Sequence, residues 1–572
     1  MALSDTFSAQ GRNSTSMQMD LFALALTPLL VIIQGHRFGV GNQDFLISFL
    51  RRLANPDWLS GDWMMGTPVP HPQLLVIVSP ICQLLGEPTT FLLLHLATRA
   101  LLLMGIWRLV LELLPGRNYT AVSAMVFTLA EPRLRVGSHY LQGGNWEPAF
   151  LGMAFSVWIL ALGCRILRKD SGVATKDYFQ LGLFAGGGLY SHLFIAGPVM
   201  AIVFATLFFS SLRKWQFWAS LLVVLFLGAP SWIYALKGFF FPPSGGLSGV
   251  EVIRVLQFRH PHHHQPWTWP VTHWFQWSAI LISTVIGWWR VKAEPGKCLW
   301  ILMGFMLWFV FSCIAFVLLG RWESIPLVAY LQPFRLFPLL WLFHLVLVIE
   351  LLRSLEPRLP RLIYWSFLPL AFLMLRFVGL WGPLAMALLI LFWRQQSKHQ
   401  TTNDFHPTLQ TSLSIMFFSF MILIGLQLLS PFRDAVNTIK REHWLAELKP
   451  ADSDRAELVH WIQRNTTTND MFAIPPAMAN FRIWEERPIL VDLKNVPFRA
   501  LELQEWSTRI GAVYQINPLL SFQTPPTTDP TIEQITSFGR LYNAKYAVLR
   551  ESYSGENILF SNSSYTVIDL TK

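Results

Sequence analysis

Apolar runs long enough to cross a bilayer recur along this chain from Leu21 to Leu429. A helix needs about 20 mostly apolar residues to span the hydrocarbon core. Backbone inside a bilayer must satisfy its own hydrogen bonds, so repeated runs of that length mean a bundle of helices. The fold class read from the sequence is therefore an α-helical polytopic membrane protein. Composition agrees: 53% of the 572 residues are hydrophobic and only 14% charged, where soluble domains carry about a quarter charged. Several of the 25 Trp sit at segment ends, as at Trp218, Trp288 and Trp289, where an amphipathic ring suits the interface. Residues 2–20 are polar and lack a basic region followed by a small-residue cleavage site, so the first helix is expected to stay as an anchor.

Two function classes are excluded early. The net charge of +10 comes mostly from loop Lys and Arg, with no basic soluble face, which argues against a nucleic-acid partner. Cys82, Cys164, Cys298 and Cys313 all fall in apolar segments without metal spacing or a disulfide framework. Phosphate-loop, nucleophile-elbow and His-Glu-x-x-His motifs are missing as well.

Residues 1–16 read as a short cytoplasmic tail and 17–431 as a membrane domain of about twelve or thirteen segments. The first helix covers 17–34 and opens into an external loop, 35–71. Segments 73–85, 90–111 and 119–129 follow, and one of the shorter two is expected to be re-entrant or interfacial. Segment 150–167 spans clearly. A pair within 179–209 is split near Ser191, His192 and Pro198. Then come 218–236 with 274–289, 299–320 with 331–352, a short hairpin within 362–393, and a last helix at 412–429. Basic clusters at Arg165, Arg213, Arg290, Arg353 and Arg394 alternate with these pairs, which puts them all on the cytoplasmic side. Loops 237–273 and 321–330 and the tail then lie outside. Gly186, Gly187 and Gly188 are placed for close helix packing.

Composition turns soluble after Arg433, and 432–572 reads as an extracytoplasmic α/β domain large enough for its own core. Helices are expected at 452–463, 500–510 and 531–542. Strands are expected at 471–474, 488–491 and 545–549, with a terminal hairpin from 557–560 and 565–568. Such a unit is expected to fold when expressed alone.

Four places carry chemistry. The first loop holds Asp44, Asp57 and Asp62. Each is either a carboxylate available at the membrane surface or a helix cap paired with Arg51 and Arg52, and Asn55-Pro56-Asp57 is itself turn chemistry. Glu147 precedes a span, where a carboxylate favours the helix N-terminus or can face the first loop as a metal ligand or substrate contact. In loop 237–273, Arg259, His260, His262, His263 and His264 cluster with aromatics. Their spacing fits no zinc motif, and the loop can manage two histidines on a metal, bind phosphate, or lie in the interface. Gln332 and Arg335 enter an apolar span, where an ionisable residue is a functional candidate unless Arg335 snorkels to the headgroups. Glu323 in the preceding loop can pair with either Arg321 or Arg335.

One helix, an external loop with an early acid, many further helices and an extracytoplasmic α/β tail resemble the GT-C superfamily of integral membrane glycosyltransferases. The tail sequences FAIPP, FRIWEERPILVDLK and NAKYAVL are similar to those of bacterial and cyanobacterial membrane proteins of this general build. The resemblance implies transfer of a sugar from a polyprenyl-phosphate-type lipid to an extracytoplasmic acceptor, with inversion, at the plasma (inner) membrane. It places Asp44 as the first-loop catalytic acid, Glu147 near the second-loop acid and Arg335 at the lipid phosphate. Gln332, His262 and His263 are the further substrate-binding candidates. A divalent cation is the cofactor it leaves open, with Glu147 as candidate ligand. At Gln43-Asp44-Phe45 the first loop has one carboxylate where the family often has a paired acid. The rival classes are a transporter or permease, which discontinuous segments such as 179–209 suit, and a non-catalytic envelope assembly protein.

Overall fold

The computed structural model describes residues 17–128, 141–285, 301–314, 333–353 and 453–572, apart from brief interruptions within those stretches. Gln332, Glu323, the segments within 362–393 and 412–429, and loop 321–330 with its flanks lie outside the described residues.

The helical body contains α1 (Met17–Ile32), α3 (Pro72–Leu85), α4 (Glu87–Leu113), α5 (Asn118–Phe127), α6 (Pro148–Lys169), α7 (Thr175–Ser211) and α8 (Trp215–Ala235). The amphipathic α2 (Gln43–Ala54) lies in the first loop. Four of these, α4, α6, α7 and α8, are long and apolar enough to cross a membrane. Their apolar side chains point outward as well as inward: Phe209 is 89% and Phe226 81% exposed. A water-facing surface does not carry rings so bare at this density, whereas a lipid-facing one does.

Helix α7 is two arms. His192 has φ −158° and ψ 94°, which reverses the chain. The hydroxyls of Tyr178 and Ser211, 33 residues apart, approach to 2.6 Å, impossible along one straight helix, where that separation is about 50 Å. The split expected near His192 is thus a tight helical hairpin. The glycine triplet explains how its arms fit. A Cβ on Gly186 would strike Leu227 of α8, on Gly187 Phe155 of α6, and on Gly188 Ala196 of the second arm. Three neighbours use three consecutive bare positions, the close approach that small residues permit.

The two ends of the body differ in kind. At the C-terminal end of α6, Arg165 pairs with Glu112 at 2.8 Å, Arg168 with Glu112 at 3.0 Å and Lys169 with Asp177 at 2.8 Å. At the other end, about 33 Å away along the helix, Glu147 meets the first loop and the tail folds over it.

The tail has a four-stranded sheet, β1 (Phe472–Ala473), β2 (Tyr546–Leu549), β3 (Ile558–Ser561) and β4 (Thr566–Asp569), in the order β1-β2-β4-β3. β1 runs parallel to β2, and the other pairs are antiparallel. The expected strand at 488–491 is reduced to a single bridge between Ile489 and Phe472: Pro488 has no N–H to extend the ladder, and Pro475 and Pro476 end the strand it would follow. Helices Ser453–Asn465, Ala500–Tyr514 and Ile532–Leu541 match the expected ones within a few residues.

The core of this domain is shared. Helix α9 (Gly249–Arg259), from the loop after α8, puts Val252, Val255, Leu256 and Phe258 into the same cluster as Trp506, Ile510 and Leu549. Phe258 meets Trp506 edge-on with centroids 6.3 Å apart. Ser248 caps α9 in a capping box with Glu251, which fixes where the helix starts. The tail and the membrane domain's loop therefore build one core between them.

Candidate functional site

Asp44 lies in the first turn of α2 and is 1% exposed. The turn before it is tight: Gly41 has φ +64°, and a Cβ there would come within 3.0 Å of both Asn145 and Glu147, so only glycine fits. Glu147 holds the other side. Its oxygens accept from the Asn42 N–H at 3.2 Å, the Asn42 side-chain amide at 2.7 Å and the Asn145 amide at 2.9 Å. Both oxygens are thus engaged by amide donors, and what Glu147 does here is clamp the first loop against the second, two residues from Asp44.

The tail reaches down to the same acid. Asn480, in left-handed conformation at φ 68°, donates its backbone N–H to Asp44 Oδ2 at 3.2 Å. Asp44 Oδ1 has no hydrogen-bond partner among the described residues. Burial pushes the carboxyl up to about 7, helped by the nearby negative charge of Asp492 and opposed by Arg482, the Asn480 N–H and Lys494. Such a group holds and releases a proton near neutrality, the condition for a general base.

Further cations lie in the same region. Lys494 is within electrostatic reach of Asp44, Glu147, Asp492 and Arg259, and its ammonium is pushed below the usual range by burial and by Arg259. Arg259 donates to the Lys494 carbonyl at 3.2 Å, and burial brings it down to about 10. Arg335, in the turn Pro333–Leu336 before helix Phe337–Arg353, lies 3.1 Å from His192 Nε2 and within reach of Glu147. Among the described residues, Arg259, Arg335 and Lys494 form no ion pair; Lys494 stands by Asp44, Glu147 and Asp492, Arg335 by Glu147 and Arg259 by Asp492. Burial and the charge of Arg335 bring His264 to about 3, and burial with Arg259 holds His260 well below its ordinary value; both rings are neutral.

The remaining first-loop acids separate cleanly. Asp62 is buried, caps the turn Trp63–Gly66 through Met64 N–H and takes a two-pronged ion pair from Arg482 at 2.7 and 3.1 Å. Arg482 also binds Asp492. Asp57 is exposed, with its N–H on Asn55 Oδ1 at 3.0 Å. The expected pairing of these acids with Arg51 and Arg52 does not form. Arg51 pairs with Glu87 and, across to the tail, Glu486, while Arg52 donates to the Trp58 carbonyl.

Of the residues singled out from sequence, Asp44, Glu147, Arg335 and the histidines with Arg259 converge on one end of the body. Gln332 lies outside the described residues. Lys494, Asn480, Arg482 and His192 belong to the same region and were missed. One signal was there to read: Asp492 and Lys494 interrupt an apolar run, Ile489 to Val496, in a way that a simple buried strand would not.

A family model described as a domain of unknown function (DUF6798) matches residues 453–513, the part of the tail that supplies Asn480, Arg482 and Lys494. No curated protein matches the chain. Among solved structures, ArnT from Cupriavidus metallidurans in the apo state aligns at 14% identity over 98% of this chain and 98% of its own, with a TM-score of 0.42. The archaeal oligosaccharyltransferase AglB from Archaeoglobus fulgidus, in complex with an inhibitory peptide and a dolichol-phosphate, aligns at 12% identity over 92% of this chain and 69% of its own, with a TM-score of 0.44. A second Archaeoglobus fulgidus oligosaccharyltransferase structure, with Zn and sulfate, aligns at 13% identity over 92% and 67%, with a TM-score of 0.39.

Proposed function

We propose that this chain is a multi-pass membrane glycosyltransferase of the GT-C type, which transfers a sugar from a polyprenyl-phosphate-type lipid donor to an extracytoplasmic acceptor with inversion. The observation that carries the reading is Asp44: a buried carboxylate poised near 7, with one oxygen unpartnered among the described residues, and with Lys494 in electrostatic reach. Asp44 Oδ1 takes the proton of the acceptor hydroxyl as that oxygen attacks the anomeric carbon. The bond from the anomeric carbon to the phosphate oxygen breaks, and the lipid phosphate leaves with its electron pair. It needs charge neutralisation rather than a proton, and Arg335, Lys494 and Arg259 supply it. Asn480 and Glu147 keep Asp44 in place, the first directly and the second through Asn42.

The test is transfer of radiolabelled sugar from polyprenyl phosphate in membranes holding each variant. Asp44→Asn keeps the side chain's size and the Asn480 bond. It is expected to insert normally and lose on the order of 10²-fold or more in turnover. Asp57→Asn, an exposed turn residue, is expected to keep full transfer. Full transfer by a normally inserted Asp44→Asn overturns the assignment.

A further inference from the structure

We propose that His260, His262 and His263 form a transition-metal site of the kind that takes Zn²⁺, with an open position for a phosphate oxygen. One ring nitrogen from each of the three lies within 4.8 Å of the others. Sequence spacing had suggested two histidines at most on one ion. The fold gathers three because the chain breaks between two helices at this point. His260 ends α9 with its N–H on the Leu256 carbonyl at 2.8 Å, and its own carbonyl accepts from His263 N–H at 2.8 Å and His264 N–H at 3.0 Å. The turn Pro261–His264 then carries the other two rings back over it. Ring centroids are 4.2 Å apart for His262 and His263, and 5.6 and 5.5 Å from His260 to each.

The stretch is anchored from both sides. Phe258 is in the tail core, and Gln265 binds the carbonyls of Gln257 and Gln523, each at 3.2 Å. His260 Nδ1 is buried with no hydrogen-bond partner among the described residues. A buried polar atom left so calls for a ligand. Tetrahedral zinc with bonds of 2.0–2.1 Å sets its nitrogens about 3.4 Å apart, so modest ring rotation closes the site. Imidazole donors select zinc, copper, nickel or cobalt over magnesium and calcium.

Three neutral ligands and an open position form an arrangement that zinc uses in catalysis. Here they leave the ion its full charge beside Arg259 and Arg335, both within electrostatic reach of His260. Only an anion balances that concentration of charge. Inorganic phosphate or a lipid phosphate has the matching chemistry. The phosphate half of the proposal rests on the lipid-donor reading above; the metal half does not.

The experiment uses the full chain in detergent, without a polyhistidine tag, stripped with chelator and titrated with Co²⁺ alone while visible absorption is recorded. One Co²⁺ per chain is expected, with an intense band in the range of four-coordinate cobalt that Zn²⁺ abolishes by displacement. The band is expected to persist in His460→Ala, a change at an exposed tail histidine, and to vanish in His260→Ala/His263→Ala. His262→Gln, which removes one ligand while keeping bulk, should weaken Co²⁺ at least tenfold. Added inorganic phosphate should shift the band. Absence of Co²⁺ uptake by the wild type, or affinity unchanged in His262→Gln, overturns the site. A band indifferent to phosphate overturns the open position. None of these readouts measures transfer, so their failure is separable from that of Asp44→Asn.

Discussion

The two polar ends of the helical body differ in the charges they leave unpaired among the described residues. At the far end of α6, Arg165, Arg168 and Lys169 each meet Glu112 or Asp177 in a direct ion pair. At the near end, Asp44, Arg259, Arg335 and Lys494 crowd one region without forming such a pair among the described residues, and burial raises the proton affinity of Asp44 and lowers that of Arg259 and Lys494. Paired charges hold helices together. Charges kept close, buried and unpaired cost free energy unless something else neutralises them, and sites of binding and catalysis are where proteins keep them. The difference also locates the tail. Among the described residues it makes no ion pair at the paired end, and it supplies Asn480, Arg482 and Lys494 to the other.

The largest expected effect breaks the near end by removing the loop that the tail depends on. Residues 449–572 expressed alone lack Val252, Val255, Leu256 and Phe258, which complete the cluster around Trp506. The fragment is expected to show no cooperative unfolding transition, whereas the same fragment with residues 247–265 supplied as a linked segment regains one. A sharp transition from the bare fragment would show that the tail is self-sufficient and only rests on the membrane part.

Next in size is Arg482→Ala. It strands Asp62 and Asp492, both buried, and breaking a buried ion pair by deleting one partner costs about 3–5 kcal/mol. A lowered thermal midpoint in detergent, together with lost transfer, is expected. By contrast, Arg168→Ala at the far end removes a pair whose arginine is 41% exposed, and should cost less than about 1 kcal/mol. Equal losses from the two changes would erase the distinction between the ends.

Much of the fold was legible because periodicity and length report burial. The segment limits of α4, α6 and both arms of α7 fall within a few residues of those read from hydropathy, and the tail's helices likewise. Asp44 and Arg335 could be found because a charge beside an apolar run is conspicuous. What could not be read was long-range: that Arg482 closes on Asp62, 420 residues away, or that α9 belongs to the tail's core. No local pattern encodes which distant partner satisfies a buried charge. His192 was seen only as a break in hydropathy; its place beside Arg335 depends on the hairpin's arms packing through Gly186, Gly187 and Gly188. The missing strand at 488–491 shows the converse, a run with the right composition that a proline keeps from pairing.

The smallest effect, and the sharpest test of the unpaired end, is the pH dependence that Asp44 lends to stability. Its carboxyl sits at about 7 in the folded chain against about 3.9 when unfolded. The folded state therefore binds the proton more tightly. The stabilisation this gives is fully present below about pH 3.9 and is lost as pH rises through about 7, with a slope of at most about 1.4 kcal/mol per pH unit in between and none above. Glu485, also raised to about 7 by burial, contributes in the same window, so the quantity to follow is the difference between wild type and Asp44→Asn. Asn carries no charge at any pH. Relative to wild type the variant should gain thermal midpoint steadily from pH 5 to 7 and hold a constant advantage from pH 7.5 to 9. A difference curve for Asp44→Asn that is flat from pH 5 to 7 would mean that water or a bound ion solvates Asp44, and the case for it as a poised base would fall with that result.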